Sequence, residues 1–260
     1  MKYIGITGHR GSGKTSVAYL LGNILESLKL GHDKSTINGQ FIVWCETIKA
    51  NQNAIYDCAL NNVYFDEFGE MPKSFVAQLL SIDMSVLDND ILKDKMFVSL
   101  NDFRLYSNDG TLKTVTSEDI LSNNGKRWTG HYISLREFAK CFSIDIMQRF
   151  FGSDVWLKTL RVNDEKWNEP DRGWRLFSDV KTKDEIQYIK DKSGVLIRTI
   201  HPSNRKSNLG ITNIDDRNSF DVDYTINTEG KLIDLFDNLY SIAIEIYCKD
   251  LNYYDALMIQ

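Results

Sequence analysis

"ITGHRGSGKTSVAYLL", residues 6–21, is the stretch from which the fold is read. Within it Gly8, Gly13, Lys14 and Thr15 satisfy G-x-x-x-x-G-K-[ST], the spacing of a loop that cradles phosphate groups. The spacing has a chemical reason. Gly8, Gly11 and Gly13 can take positive φ and bring backbone N–H groups close to an anion with no Cβ in the way. Lys14 adds a point charge for terminal phosphates, and the Thr15 hydroxyl suits Mg²⁺. His9, Arg10, Ser12 and Ser16 complete the expected binding run from Gly8 to Ser16.

The flanks agree with the loop. "KYIGIT" before it is a short apolar run with β-branched residues and predicts a buried strand. After it, Val17, Leu20, Leu21, Ile24, Leu25 and Leu28 recur at three and four, which predicts a helix with one buried stripe. Strand, glycine loop and helix in that order bring the positive end of the helix to the phosphates.

The bulk numbers bound the class. At 260 residues and 30.0 kDa the chain is long enough for a full core. Hydrophobic content of 42% and charged content of 26% are ordinary for a globular protein. A net charge of −5 and a pI near 5.5 disfavour a duplex-binding surface spread over the whole molecule and leave a local basic groove open. Cys45, Cys58, Cys141 and Cys248 form no C-x-x-C pair, so four free thiols in a reducing compartment are expected. The four histidines have no metal-ligand spacing. The glycine loop interrupts the N-terminal apolar segment and no apolar run approaches a membrane span, so a soluble cytoplasmic protein is expected.

The second half predicts the rest of a parallel sheet. "SLREFAKCFSIDIM" opens with Ser134 as N-cap, Glu137 three residues on, and Ile133 and Phe138 placed as a hydrophobic staple. "WRLFSDV" (174–180) reads as a strand, "TKDEIQYIKDK" as a helix with a Thr182–Glu185 capping box and a C-cap at Gly194, and "VLIRTI" (195–200) as another strand. This βαβ unit predicts parallel pairing by a right-handed crossover. "DVDYTIN" (221–227) predicts a further strand. Leu232, Leu235, Phe236, Leu239, Ile242, Ala243 and Ile246 mark a long amphipathic terminal helix. The expectation is one α/β domain over 1–260 with a parallel sheet flanked by helices. Its core is 1–30 and 133–250, and 31–66 and 97–130 read as insertions over the ligand cleft.

In the order and spacing of its motifs the chain resembles the phage-type deoxynucleoside monophosphate kinases, within the nucleoside-monophosphate-kinase-like P-loop fold. "FGEMPKSFVAQLLSIDMSVLDNDILKDK", in a region of about 67–96, is similar to that family's acid and lysine before an apolar helix. "LREFAKCFSIDIMQRFFGSDVWLKTL" is similar to its Arg-led helix ending in Asp-x-Trp, here Asp154 and Trp156. "SDVKTKDEI" is similar to its strand-end Asp-x-Arg-x-x-x-Glu, carried by Asp179, Lys181 and Glu185, and "KSNLGIT" and "FDVDYTINTEGKLIDL" resemble its closing segments. Three positions depart from the pattern. Lys181 and Gln148 stand where the family has arginine, and Asn213 follows Thr212 where an acid is usual.

The resemblance implies transfer of the ATP γ-phosphoryl group to a deoxynucleoside monophosphate with Mg²⁺, giving the diphosphate and ADP, in the host cytoplasm if the source is a phage. It implies catalytic roles for Lys14, Arg136, Asp179 and Lys181, and metal binding by Thr15 and Asp179. Acceptor contacts fall to Glu70, Lys73, Arg136, Trp156 and Glu185, and a lid to Arg205 and Lys206. The residue types fit. Asp179 ends a strand at the carboxyl edge of the sheet, where α/β folds bind ligands. Arg136 lies in a first helical turn, where a cation opposes the macrodipole and an acceptor phosphate would offset it. Arg205 and Lys206 follow a strand, on a loop suited to carry transition-state charge. Plainer readings stand beside these: a helix-flanking acid for Asp179, a surface arginine for Arg136, capping for Glu185, core packing for Trp156 and solvated surface for Glu70, Lys73 and the loop cations. The alternatives in function are a P-loop kinase for another small phosphorylated acceptor such as phosphomevalonate, a nucleotide-binding regulator with weakened catalysis, and an NTP-hydrolysing nucleic-acid remodeller, which the acidic balance disfavours. Nucleotides are the expected partners, with no membrane, and pairing of two copies is left open.

Overall fold

The computed structural model describes residues 1–9, 11–50, 60–99, 105–107, 122–123, 126–127, 132–166, 173–201 and 220–258. They form two compact units. One is Met1–Phe68 with Asn168–Gln260, the other Gly69–Trp167. The sequence reading took 1–260 as one domain, whereas the chain folds as a unit interrupted by a second unit.

The first unit begins with β1 (Lys2–Gly8), α1 (Lys14–Lys29), α2 (Lys34–Ala50) and β2 (Val63–Asp66). The second unit follows with α3 (Glu70–Leu80), α4 (Met84–Asp88), α5 (Asp90–Lys95), β3 (Met96–Ser99), β4 (Leu105–Ser107), β5 (Ser122–Asn123), β6 (Lys126–Arg127) and β7 (Tyr132–Ser134). It closes with α6 (Leu135–Lys140), a π-helical segment (Cys141–Gln148), α7 (Arg149–Phe151) and α8 (Val155–Lys166). The chain then returns to the first unit with β8 (Trp174–Val180), α9 (Lys183–Asp191), β9 (Val195–Ile200), β10 (Tyr224–Asn227) and α10 (Leu232–Met258).

The first unit is α/β. Its five strands are all parallel, in the order β10-β9-β1-β8-β2, and helices flank the sheet, an architecture compatible with a P-loop-like fold. Alternation along β1 assigns its faces. Ile4 and Ile6 join α1, α2 and α10 in one core cluster, while the opposite side of Gly5 meets Ile189 of α9. Both faces are covered, which is why β1 is buried without alternation from Tyr3 to Gly8. The expected pairing of β8 with β9 needs correction. The two are parallel, yet β1 lies between them and pairs with each. The connection from β8 to β9 therefore crosses β1, and the strand order reverses there. In open α/β sheets such a reversal opens a crevice at the carboxyl ends of the strands.

Two other expectations are revised. The stripe predicted for α1 is a whole buried surface, since Val17 to Leu28 are all buried. The sheet, α2 and α10 enclose this helix, so its polar residues need internal partners. Glu26 accepts from the Asn61 and Asn62 backbone N–H groups at 3.3 and 3.1 Å, and Asn23 donates to Tyr19 O at 2.8 Å. The segment 31–66, read as an insertion, contributes α2 and β2. Ile37, Phe41 and Cys45 of α2 are buried in the main core, and β2 is the sheet's edge strand.

The capping box at Thr182 and Glu185 is present, but the C-terminal stop of α9 is Ser193, not Gly194. Ser193 has φ 52°, its N–H donates to Lys190 O at 2.8 Å, and the Gly194 N–H reaches Ile189 O at 2.9 Å, a Schellman closure. Gly194 is needed for a different reason. A Cβ there would fall 2.6 Å from Tyr3 O.

The second unit has its own core of Val76, Ala77, Leu80, Leu87, Val98, Ile133, Leu135 and Phe138. The predicted staple residues Ile133 and Phe138 are both in it, and the Ser134 hydroxyl accepts the Glu137 N–H at 3.2 Å. Antiparallel β4-β3-β7 forms its main sheet, so part of the other presumed insertion is also core, with Phe97 and Val98 buried. Among the described residues no helix is long and apolar enough to cross a membrane.

Candidate active site

Residues 8–13 connect β1 to α1 at the carboxyl end of the central strand. Gly8, Gly11 and Gly13 take φ of 150°, 75° and 80°, conformations open to glycine and costly for other residues. Gly13 is the N-cap of α1 and brings no side-chain acceptor, and the first turn holds no acid. Gly13 thus supplies no side-chain cap to the opening amides, and a long buried helix presents its positive end at the loop. Thr15 and Ser16 lie half-buried in that first turn. The Lys14 ammonium donates to the His9 carbonyl at 2.8 Å, which folds the charge over the loop's own backbone. Arg10 lies outside the described residues.

Asp179 is on β8, beside β1, and is buried. Its Oδ1 accepts the Phe68 backbone N–H at 2.8 Å and its Oδ2 accepts the Lys181 ammonium at 3.1 Å. Glu185 accepts the backbone N–H groups of Lys181 and Thr182, so it is committed to the cap of α9. Burial pushes its carboxyl upward from the ordinary value of 4.5, the Asp179 charge adds to this, and the two backbone bonds oppose it. Asp179, Lys181 and Glu185 are thereby joined in one network. No group of three His, Cys, Asp or Glu side chains gathers as a metal cage among the described residues. Mg²⁺ on a nucleotide does not require one, because one or two protein oxygens plus phosphates suffice.

Sequence reasoning missed several neighbours. Asp66, at the end of β2, pairs with Arg175 of β8, and burial raises its carboxyl against the lowering effect of that guanidinium. Phe68 stacks on Phe177 with centroids 4.5 Å apart, while its N–H holds Asp179. Thr199 of β9 and Thr228, just past β10, hydrogen-bond to Ser12. None of these partners is signalled by local spacing, since they are brought together only by the strand order.

Four further expected residues, Glu70, Lys73, Arg136 and Trp156, belong to the second unit. Arg136, in the first turn of α6, donates from Nε to Asp94 Oδ1 at 2.6 Å and from a terminal nitrogen to Oδ2 at 3.1 Å. Lys73 pairs with Asp88 at 2.7 Å, and Glu70 is exposed in the first turn of α3. Trp156 is buried, donates from its indole to Ser143 O at 3.1 Å, and lies with its ring 5.9 Å from that of Phe75. These contacts are those of a packed indole. Arg205 and Lys206 lie outside the described residues.

No family model matches the chain, and no curated protein matches it.

Proposed function

We propose that the protein is a P-loop kinase that transfers the ATP γ-phosphoryl group to a deoxynucleoside monophosphate. The observation that carries the reading is the loop itself. A G-x-x-x-x-G-K-T sequence, with its three glycines at positive φ, joins a central parallel strand to a buried helix at the reversal of strand order.

On this reading the loop amides and Lys14 hold the β- and γ-phosphates. Thr15, with Asp179 through water, would hold Mg²⁺, which screens charge on the phosphate oxygens when bound. An oxygen of the acceptor's monophosphate forms a new bond to the γ-phosphorus as the bond to the β,γ-bridging oxygen breaks, and ADP leaves. Little covalent chemistry is asked of the chain, which orients two nucleotides and stabilises spread charge. Lys181 lies against Asp179 and supplies a cation at the sheet's edge. Arg136 offers a guanidinium fork of the kind that takes an acceptor phosphate, in exchange for Asp94.

Incubation with ATP, Mg²⁺ and each of the four dNMPs, with ADP formation as the readout, tests the assignment. Acceptor-dependent ADP is the expected result. ATP binding without turnover on any acceptor would overturn the kinase assignment in favour of a nucleotide-binding regulator.

A further inference from the structure

We propose that Thr199 and Thr228 are positioning residues for the phosphate loop, fixing its backbone from the ends of two neighbouring strands in the shape that offers its amides to a nucleotide. The proposal rests on the reading of that loop as a phosphate site.

Four hydrogen bonds carry it. The Ser12 and Thr199 hydroxyl oxygens are 2.6 Å apart, and both residues are 1% exposed. Thr199 gives its single proton to the Thr7 carbonyl at 3.2 Å, so Ser12 is the donor in the pair. The single Thr228 hydroxyl proton is shared between the Ser12 carbonyl at 3.1 Å and the Ile200 carbonyl at 3.2 Å. Ser12 is therefore held at its side chain by β9 and at its backbone by the end of β10. Thr228 is itself fixed, because its N–H donates to Ile200 O at 3.0 Å.

The geometry of Gly8 fits the same device. A Cβ there would fall 2.6 Å from the Ser12 hydroxyl, so the glycine makes room for the Ser12–Thr199 bond as well as for an anion. The Gly13 side meets Thr228, whose methyl carbon would lie 3.3 Å from an added Cβ. Both ends of the loop thus abut one of the two threonines. Within the loop the Ser12 N–H at 3.1 Å and the Lys14 ammonium at 2.8 Å both meet the His9 carbonyl, whereas the two threonines tie Ser12 to neighbouring strands. A loop already ordered before binding loses less conformational freedom when a ligand arrives, and the gain appears as affinity.

The test uses Thr199→Val and Thr228→Val, which remove one hydroxyl each with little change of shape, beside Thr199→Ser and Thr228→Ser, which keep it. Two quantities are measured on the full chain: amide hydrogen exchange across residues 8–13 without nucleotide, and calorimetric affinity for AMP, ADP and ATP. The valine variants are expected to exchange faster in the loop while β1 and β8 keep their protection. They should lose roughly tenfold in affinity for ADP and ATP, the equivalent of one buried hydrogen bond, and less for AMP. The serine variants should behave as wild type in both. If Thr199→Val does not fold, Thr228→Val at its half-buried site decides the matter. Valine variants with wild-type loop exchange and wild-type ADP affinity overturn the positioning role alone. Faster exchange spread evenly over the sheet overturns it too, since that reports only lost global stability. A wild-type protein that binds none of the three nucleotides overturns the phosphate reading, and the role of the threonines falls with it.

Discussion

Arg136 holds Asp94 through a two-pronged contact, Nε to Oδ1 at 2.6 Å and a terminal nitrogen to Oδ2 at 3.1 Å. The pair joins residues 42 positions apart and explains locally how a cation is tolerated in the first turn of α6, where the helix field disfavours it. A carboxylate and a phosphate ask for the same fork. Asp94 thus occupies the donors that the proposed acceptor would use. Arg136→Ala should raise KM for the monophosphate and lower kcat, with ATP affinity little changed. Asp94→Asn should lower KM for the acceptor by removing the competitor. The pair is partly exposed, so either change should alter stability by under about 1 kcal/mol. Unchanged acceptor affinity in both variants, measured by titration calorimetry over the four dNMPs, would remove Arg136 from the site.

Lys14 is the next test. Its ammonium lies on His9 O in the loop, and on the proposed reading a change of rotamer would carry it to the terminal phosphates of a nucleotide. Lys14→Ala should cut kcat by roughly 10³, as for other single groups that stabilise transition-state charge. The core should be unaffected, because the side chain is part of no apolar cluster. A folded variant with near wild-type turnover contradicts the kinase reading.

Lys181 tests the departure from arginine at the sheet's edge. Its ammonium is 3.1 Å from Asp179 and its side chain is 44% exposed, so it is free to turn toward a ligand while remaining near the acid. Lys181→Arg should keep or raise kcat, and Lys181→Ala should lose at least tenfold, a loss on the scale of one charge-assisted hydrogen bond. Equal steady-state rates in all three proteins would reduce Lys181 to solvated surface.

What the sequence made legible was what local spacing encodes. The strand, loop and helix from Lys2 to Lys29 are contiguous, and the Thr182–Glu185 cap is built from residues three apart. The order of strands was not legible, because nothing in β8 or β9 records that β1 separates them. For the same reason the partners Thr199 and Thr228 of the loop, and Asp94 of Arg136, were out of reach. In α2 a signal was present and passed over. Ile37, Phe41, Cys45 and Ile48 recur at four and three, but charged and polar residues between them masked the buried face.

The misread stop of α9 gives a stability prediction. Ser193 carries a left-handed φ of 52°, which costs a residue with a Cβ about 1 kcal/mol relative to glycine. Part of that gain is offset by the wider freedom of glycine in the unfolded chain. Ser193→Gly should therefore stabilise by about 0.5 kcal/mol, a rise in Tm of about 1–2 °C. Gly194→Ala should destabilise instead, because its Cβ would strike the Tyr3 carbonyl. Differential scanning calorimetry of the two variants checks both signs.

The final prediction follows from Glu185. Burial first, and the charge of Asp179 second, raise its carboxyl above the ordinary value of 4.5, while bonds from the Lys181 and Thr182 N–H groups hold the raised value back. The folded state therefore binds this proton more tightly than the unfolded chain. Linkage fixes the sign. The contribution is full below the unfolded value near 4.5 and is lost as pH rises through the higher folded value, so the ionised form is a net cost at neutral pH. Glu185→Gln removes the charge and keeps a side-chain carbonyl that can still accept the Thr182 N–H in the capping box. Relative to wild type, the variant should gain stability as pH rises from about 4 to about 8. Thermal melts across that range measure the difference. A flat difference would mean that Glu185 titrates alike in folded and unfolded chains. A difference that declined with pH would mean that the two backbone N–H bonds outweigh burial and the Asp179 charge, and that the carboxylate is a stabilising cap in its ionised form.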